Sequence, residues 1–156
     1  MAAHSVLFVC LGNICRSPLA EAALRREAER LGLDVDVDSA GTGDWHVGQP
    51  PDVRAQAVAL RNGADISMLR ARQVGPEDFR RFDHLVALDS KNLANLEAMR
   101  PPDGTATLSL LLDHVPGRAR QPVIDPYYGD DALFDETWRV VTDGARGLAS
   151  MLAERR

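Results

Sequence analysis

The run Ser5-Val6-Leu7-Phe8-Val9 is apolar without alternation, the pattern of a strand buried on both faces of a parallel sheet. It ends at Cys10. Downstream, Leu19, Ala23, Leu24, Ala28 and Leu31 recur at helical spacing and predict a first amphipathic helix. Val35 and Val37 alternate with aspartates in a short, edge-like second strand. Pro51 to Asn62 predicts a helix that stops near Gly63, and Pro76-Glu77-Asp78-Phe79 a short helical turn. His84 to Leu88 predicts a third strand, Lys91 to Arg100 a helix, and Thr105 to Leu112 contains a fourth strand. Phe134, Trp138, Val141, Ala145, Leu148 and Leu152 define one apolar helical face, which assigns Trp138 to the core.

Strands alternating with helices predict an α/β fold: a single doubly wound domain over residues 1–156, with a four-stranded parallel sheet flanked by helices. In such sheets ligands bind beyond the carboxyl ends of the strands, and Cys10 lies there. The stretch Asp113 to Ile124, with Pro116, Gly117, Arg118 and Arg120, is long and weakly patterned. Loops of that length in a compact domain are commonly functional, and this one can carry the residues that follow it back over the same edge.

Chemistry concentrates in Cys10-Leu11-Gly12-Asn13-Ile14-Cys15-Arg16-Ser17-Pro18. A thiol six residues ahead of a guanidinium can sit at the bottom of a ring whose backbone N–H groups, those of Leu11, Gly12, Asn13, Ile14 and Cys15 among them, converge on one anion. Arg16 closes that ring with a planar fork of donors. Pro18 suits a first helical turn, where its missing N–H has no intrahelical partner. Strand end, loop and helix N-terminus together form an anion socket that favours a thiolate as it favours phosphate. Gly12 and Asn13 are read as positions that tolerate positive φ. Ser17 can donate its hydroxyl to the Cys10 sulfur and also serve as the N-cap directly before Pro18. A cysteine at a strand end is by itself a small hydrophobe; the residues around Cys10 make it a nucleophile candidate. Cys15 is either loop filler or a thiol that shields an oxidised Cys10 as a disulfide.

Composition narrows the function. A chain of 156 residues, 45% hydrophobic, is long enough for one core. Eighteen basic against 23 acidic residues leave a net charge of −5, which does not suggest nucleic acid. An anionic substrate must then be captured by the local field of the loop. No apolar run is long enough to span a membrane, and the N-terminal apolar stretch, short and without a basic leader, is not read as a signal peptide. The four histidines, His4, His46, His84 and His114, lack zinc-like spacing. Two cysteines used as thiols fit a reducing cytoplasm. Arg70 and Arg72 are taken as solvated, and nothing demands more than a monomer.

Val9 to Pro18 followed by Ala20-Glu21 resembles the signature of the low-molecular-weight protein tyrosine phosphatases. The resemblance runs on through Asp38-Ser39-Ala40-Gly41-Thr42, Ala71-Arg72-Gln73, Phe82-Asp83, Leu88-Asp89 with Asn92, and Asp125-Pro126-Tyr127-Tyr128-Gly129. It implies hydrolysis of phosphotyrosine in proteins or peptides, without metal or organic cofactor, with inorganic phosphate as product. Cys10 is then the nucleophile, Arg16 the phosphate clamp and Asp125 the proton donor to the leaving oxygen, then the acceptor of a proton from water. Alone, Asp125 before Pro126 reads equally as a turn aspartate. Tyr127 and Tyr128 can wall a slot for a flat ring, although core packing is open for Tyr128 in particular. The resemblance places Trp45, on the glycine-rich loop Gly41 to Gly48, along the same cleft. One departure stands out. Related phosphatases carry a histidine shortly before Ala-Arg-Gln, within a network supporting the loop's Asn and Ser; here the residue is Leu69, so that support is weaker, rebuilt by water or taken over by Ser39.

Three other readings share these residues. Arsenate reduction on this fold needs further cysteines for its relay, whereas both cysteines here lie in the loop. Arginine phosphatases carry threonine where this chain has Ile14, whose apolar wall suits a phenyl ring better than a guanidinium. A phosphate-binding or phosphocarrier module would need no acid at Asp125.

Overall fold

The computed structural model describes residues 2–155. The elements follow the order β1 (His4–Cys10), α1 (Arg16–Leu31), β2 (Val35–Gly41), α2 (Val53–Arg61), α3 (Asp78–Arg81), β3 (His84–Ala87), α4 (Ser90–Met99), β4 (Thr107–Leu110), a 3-10 turn over Leu111–His114, and α5 (Asp131–Glu154). The four strands form one sheet in the order β2-β1-β3-β4, every pair parallel. Reversal of strand order on either side of β1 makes this a doubly wound α/β fold, and it brings the carboxyl ends of β1, β2 and β3 to one edge.

The uniformly apolar β1 is explained by its neighbours. Val6 and Phe8 face a core built with α1, α2 and α5, whereas Leu7 and Val9 face a second core containing Phe79, Phe82, Leu93 and Leu96. All four are fully buried. Strand β2 lies at the edge, and its polar positions Asp36 and Asp38 keep contact with solvent while Val37 is buried. The last strand residue is also covered: Gly41 N–H donates to Arg72 O at 2.8 Å and Val74 N–H donates to Gly41 O at 2.8 Å. In α5, Phe134, Trp138, Val141, Ala145, Leu148 and Leu152 are buried as one face.

Helix α1 begins earlier than a Ser-Pro start suggests. Its N-cap is Cys15, so Arg16, Ser17 and Pro18 are its first three residues and the first intrahelical bond is Leu19 N–H to Cys15 O, 3.2 Å. Ser17 is therefore not the N-cap. The N–H groups of Arg16 and Ser17 precede that bond and remain available at the helix terminus.

Candidate active site

The loop from Cys10 to Cys15 is shaped by contacts with the chain leaving β2. Thr42 N–H donates to Cys10 O and Gly43 N–H to Leu11 O, both at 2.9 Å, and Asp52 N–H, at the start of α2, donates to Ile14 O at 2.8 Å. Gly41 permits this approach: a Cβ there would lie 2.8 Å from Leu11 O and 3.2 Å from Gly12 C. Asn13 takes the left-handed conformation, φ 58°, as its residue type tolerates. Gly12 does not have positive φ. Its lack of a side chain serves proximity instead, because a Cβ would meet the His46 ring at 3.0 Å.

Beneath the loop lies a hydrogen-bond chain whose polarity can be read link by link. Arg72 N–H donates to Asn13 Oδ1 at 3.0 Å, which fixes the amide so that Nδ2 supplies both its hydrogens. They go to Ser17 Oγ at 2.8 Å and Ser39 Oγ at 3.0 Å. Ser39 donates onward to Glu21 Oε1 at 2.8 Å. Ser17 Oγ, which accepts from Asn13, lies 3.0 Å from Cys10 Sγ and donates to it when the sulfur is a thiolate, and Asn13 N–H donates to the same sulfur at 3.3 Å. Ser17 Oγ and Asn13 N–H thus converge on one sulfur. Glu21 is held by Arg25, Nη2 to Oε2 2.8 Å. Burial pushes the Glu21 carboxyl above its ordinary value, with the hydrogen bonds from Arg25 and Ser39 opposing it. Of the three ways to replace the missing histidine, the structure shows Ser39 bonded to Asn13. Leu69 packs against the core instead.

Arg16 is 4% exposed and its direction is imposed from two sides. Nη1 donates to Asp89 Oδ2 at 2.8 Å and to Val123 O at 2.9 Å. Asp89 is the N-cap of α4, its other oxygen accepting from Asn92 N–H at 2.7 Å, so the carboxylate is fixed at the carboxyl end of β3. Arg16 Nη2 lies 3.8 Å from Asp125 Oδ2. Asp125 is anchored by Tyr127 N–H, which donates to Oδ1 at 3.1 Å, and its side chain is 45% exposed.

These groups line one cavity of about 230 Å³. Cys10, Leu11, Gly12, Ile14, Cys15 and Arg16 form its floor side, Trp45 and His46 one wall, and Asp125, Tyr127 and Tyr128 another. Asn13 and Ser17, expected among the substrate-binding residues, are not among its lining groups: both are buried and act behind it on Cys10. Tyr128 is 97% exposed, which excludes core packing, and meets Tyr127 edge-on with centroids 5.0 Å apart. Cys10 and Cys15 are both free thiols, and burial pushes the Cys15 thiol up strongly. Arg72 is not a free solvated cation, since it bridges Asp38 and Asp78.

The sequence reading missed Asp89 as the residue that aims Arg16, although an aspartate between a strand end and a helical run carries an N-cap signal. His46, which the sequence puts on the cleft loop without a role, brings its ring beside Gly12, a position that depends on the fold. Among the described residues, no group of three histidine, cysteine or acidic side chains is placed to hold a metal ion, and no helix is long and apolar enough to cross a membrane.

A doubly wound sheet with a cysteine in the loop at its carboxyl edge, a buried arginine beside it and a carboxyl group lining the same cavity is the fold and residue set of a phosphatase. The chain belongs to the low molecular weight phosphotyrosine protein phosphatase family, whose model matches residues 5–156. It is 40% identical over 151 residues to the low molecular weight phosphotyrosine protein phosphatase of Schizosaccharomyces pombe, covering 95% of this chain and 96% of that protein. The Bacillus subtilis low molecular weight protein-tyrosine-phosphatase YfkJ is 39% identical over 154 residues, 97% of each chain; its crystal structure superposes with a TM-score of 0.91, covering 100% of this chain and 98% of that one. The protein tyrosine phosphatase of Entamoeba histolytica gives 0.91 at 33% identity over 98% and 99% of the two chains. A Drosophila arginine phosphatase shares the fold at 31% identity, TM-score 0.88, over 97% of each chain.

Proposed function

We propose that residues 1–156 form one phosphatase domain that hydrolyses phosphotyrosine in proteins or peptides through a phosphocysteine intermediate. The observation that carries this reading is the convergence on Cys10 Sγ of Ser17 Oγ and Asn13 N–H, at the floor of a cavity that also holds Arg16 and Asp125. The Cys10 thiolate attacks phosphorus in line; the bond from phosphorus to the tyrosyl oxygen breaks, and Asp125 gives that oxygen its proton. Water then attacks the phosphocysteine, Asp125 takes the water's proton, the phosphorus–sulfur bond breaks, and inorganic phosphate leaves with the thiolate restored. Arg16 and the N–H groups of the loop and helix terminus bind the equatorial oxygens in both steps, where preorganised donors contribute most.

Substrate class follows from the walls. Ile14 presents an apolar side chain to the cavity, and Tyr127, Tyr128 and Trp45 flank its mouth, an environment for an aryl ring rather than a guanidinium. Asp125 favours a hydrolase over a phosphate carrier. Cys15 borders the same cavity, so a sulfenic acid formed on Cys10 by peroxide condenses with the Cys15 thiol, losing water to give a disulfide. The free thiols Cys10 and Cys15 suit a reducing cytoplasm, and the proposed enzyme acts there as a monomer. The test is turnover of phosphotyrosine, phosphoserine and phosphoarginine peptides side by side. Phosphotyrosine is expected to lead by at least tenfold in kcat/KM; a lead for phosphoarginine overturns the reading.

A further inference from the structure

We infer that Arg54 is a positioning residue for the general acid: it clasps the Asp125 loop to the Cys10 loop through α2. The inference rests on the reading of Asp125 as proton donor. Arg54 is the second residue of α2, and Asp52, the N-cap, accepts its backbone N–H at 2.8 Å. The same aspartate takes the guanidinium in a fork, Nε to Oδ1 and Nη2 to Oδ2, each 3.1 Å. The outward nitrogens then reach across 70-odd residues of chain: Nη2 donates to Tyr127 O at 2.8 Å and Nη1 to Gly129 O at 3.0 Å. The guanidinium also lies over two rings, 4.6 Å from the centroid of Phe134 in α5 and 5.7 Å from that of Tyr127.

Tyr127 is thereby fixed through both of its backbone groups. Its carbonyl is held by Arg54, and its N–H is the group that anchors Asp125 Oδ1. Asp52, which orients Arg54, is itself tied by its N–H to Ile14 O in the Cys10 loop. One guanidinium therefore sets the position of the acid relative to the nucleophile without lining the cavity. Only arginine supplies this geometry, because a planar fork can satisfy a carboxylate and two carbonyls at once, whereas a lysine ammonium is a point donor. Without the clasp, Tyr127 loses one of its two anchors, and the carboxyl group spends less time in reach of the leaving oxygen. Cys10, Ser17, Asn13 and Arg16 keep their own bonds.

The test compares Arg54→Met and Arg54→Lys with Asp125→Asn and with the Arg54→Met/Asp125→Asn double variant, on aryl phosphates of graded leaving-group basicity. The readout is kcat/KM, which reports the first, acid-assisted displacement. General acids contribute typically 10²- to 10⁴-fold. Arg54→Met is expected to lose about tenfold or more on phenyl phosphate and less than about threefold on dinitrophenyl phosphate, whose leaving group needs little protonation. Arg54→Lys falls between. The double variant is expected to be no slower than Asp125→Asn alone, the non-additivity of two residues acting through one group. A uniform loss across the series, a loss that adds in full to that of Asp125→Asn, or no loss in Arg54→Met overturns the clasp. Failure of Asp125→Asn itself to discriminate by leaving group overturns the acid assignment instead. Should Arg54→Met not fold, Arg54→Lys carries the same comparison, with Cys10 alkylation at unchanged rate as the control for an intact loop.

Discussion

Ser39→Ala isolates the support of the Cys10 loop. The Ser39 hydroxyl is buried, accepts one hydrogen from Asn13 Nδ2 at 3.0 Å and donates one to Glu21 Oε1 at 2.8 Å. Alanine leaves one amide hydrogen and one carboxylate oxygen without those partners. Each unsatisfied buried polar group costs about 1–3 kcal/mol, so the two set a range of about 2–6 kcal/mol. The lower half applies, because Glu21 keeps Arg25 and Asn13 keeps Ser17 and Arg72 N–H. With about 3 kcal/mol lost and a urea m-value of about 2 kcal/mol per molar, the unfolding midpoint falls by about 1.5 M. Asn13 also orients Ser17 toward sulfur, so kcat is expected to fall about tenfold, equivalent to about 1.4 kcal/mol. Urea unfolding followed by tryptophan fluorescence and steady-state kinetics on one aryl phosphate measure both. A midpoint within about 0.3 M of the parent, with kcat unchanged, would refute the chain of hydrogen bonds as the loop's support.

Two further predictions follow from close approach and from burial. Gly41→Ala places a methyl group 2.8 Å from Leu11 O, so Leu11 and Gly12 must move; overpacking of this kind costs about 1–3 kcal/mol, and inhibition by inorganic phosphate is expected to weaken at least tenfold, a wild-type inhibition constant being the contrary result. Burial pushes the His84 imidazole below its ordinary value, with Asp83 opposing and Arg155 and His4 assisting. Because the unfolded chain then binds more protons, stability from this site is present above the unfolded value and is lost as pH falls through it toward the folded one. Thermal melts between pH 7.5 and 5 should show a steeper decline for the wild type than for His84→Gln, and parallel declines would contradict the assignment.

What the sequence made legible was local. The β1 run and the α5 stripe announced themselves because both faces of one and a single face of the other are buried, which leaves a periodic trace. The grouping of residues around Cys10 was legible because a tight loop pressed against neighbouring backbone restricts residue type at many positions. Of the two roles the sequence offers Ser17, the cap fails, because a Ser-Pro start is displaced here: the loop places Arg16 and Ser17 inside the first turn and commits the hydroxyl to sulfur and amide. Gly12 was given a conformational role where the His46 ring sets a steric one. Asp89 aiming Arg16, and Arg54 reaching Tyr127 and Gly129, join residues more than 70 positions apart. No periodicity encodes such pairs. Asp89 and Asp52 each carry a local cap signal, but the cap says nothing of the arginine that the second carboxylate oxygen receives.

The proposal that Cys10 carries the phosphoryl group is tested most directly by trapping it. Wild-type protein mixed rapidly with labelled aryl phosphate and denatured within the first turnover should retain label, and peptide mapping should place it on the peptide containing Cys10. Cys10→Ala should fold, bind phosphate, hold no label and release no product. Label on any other residue, or turnover persisting in Cys10→Ala, would contradict the account.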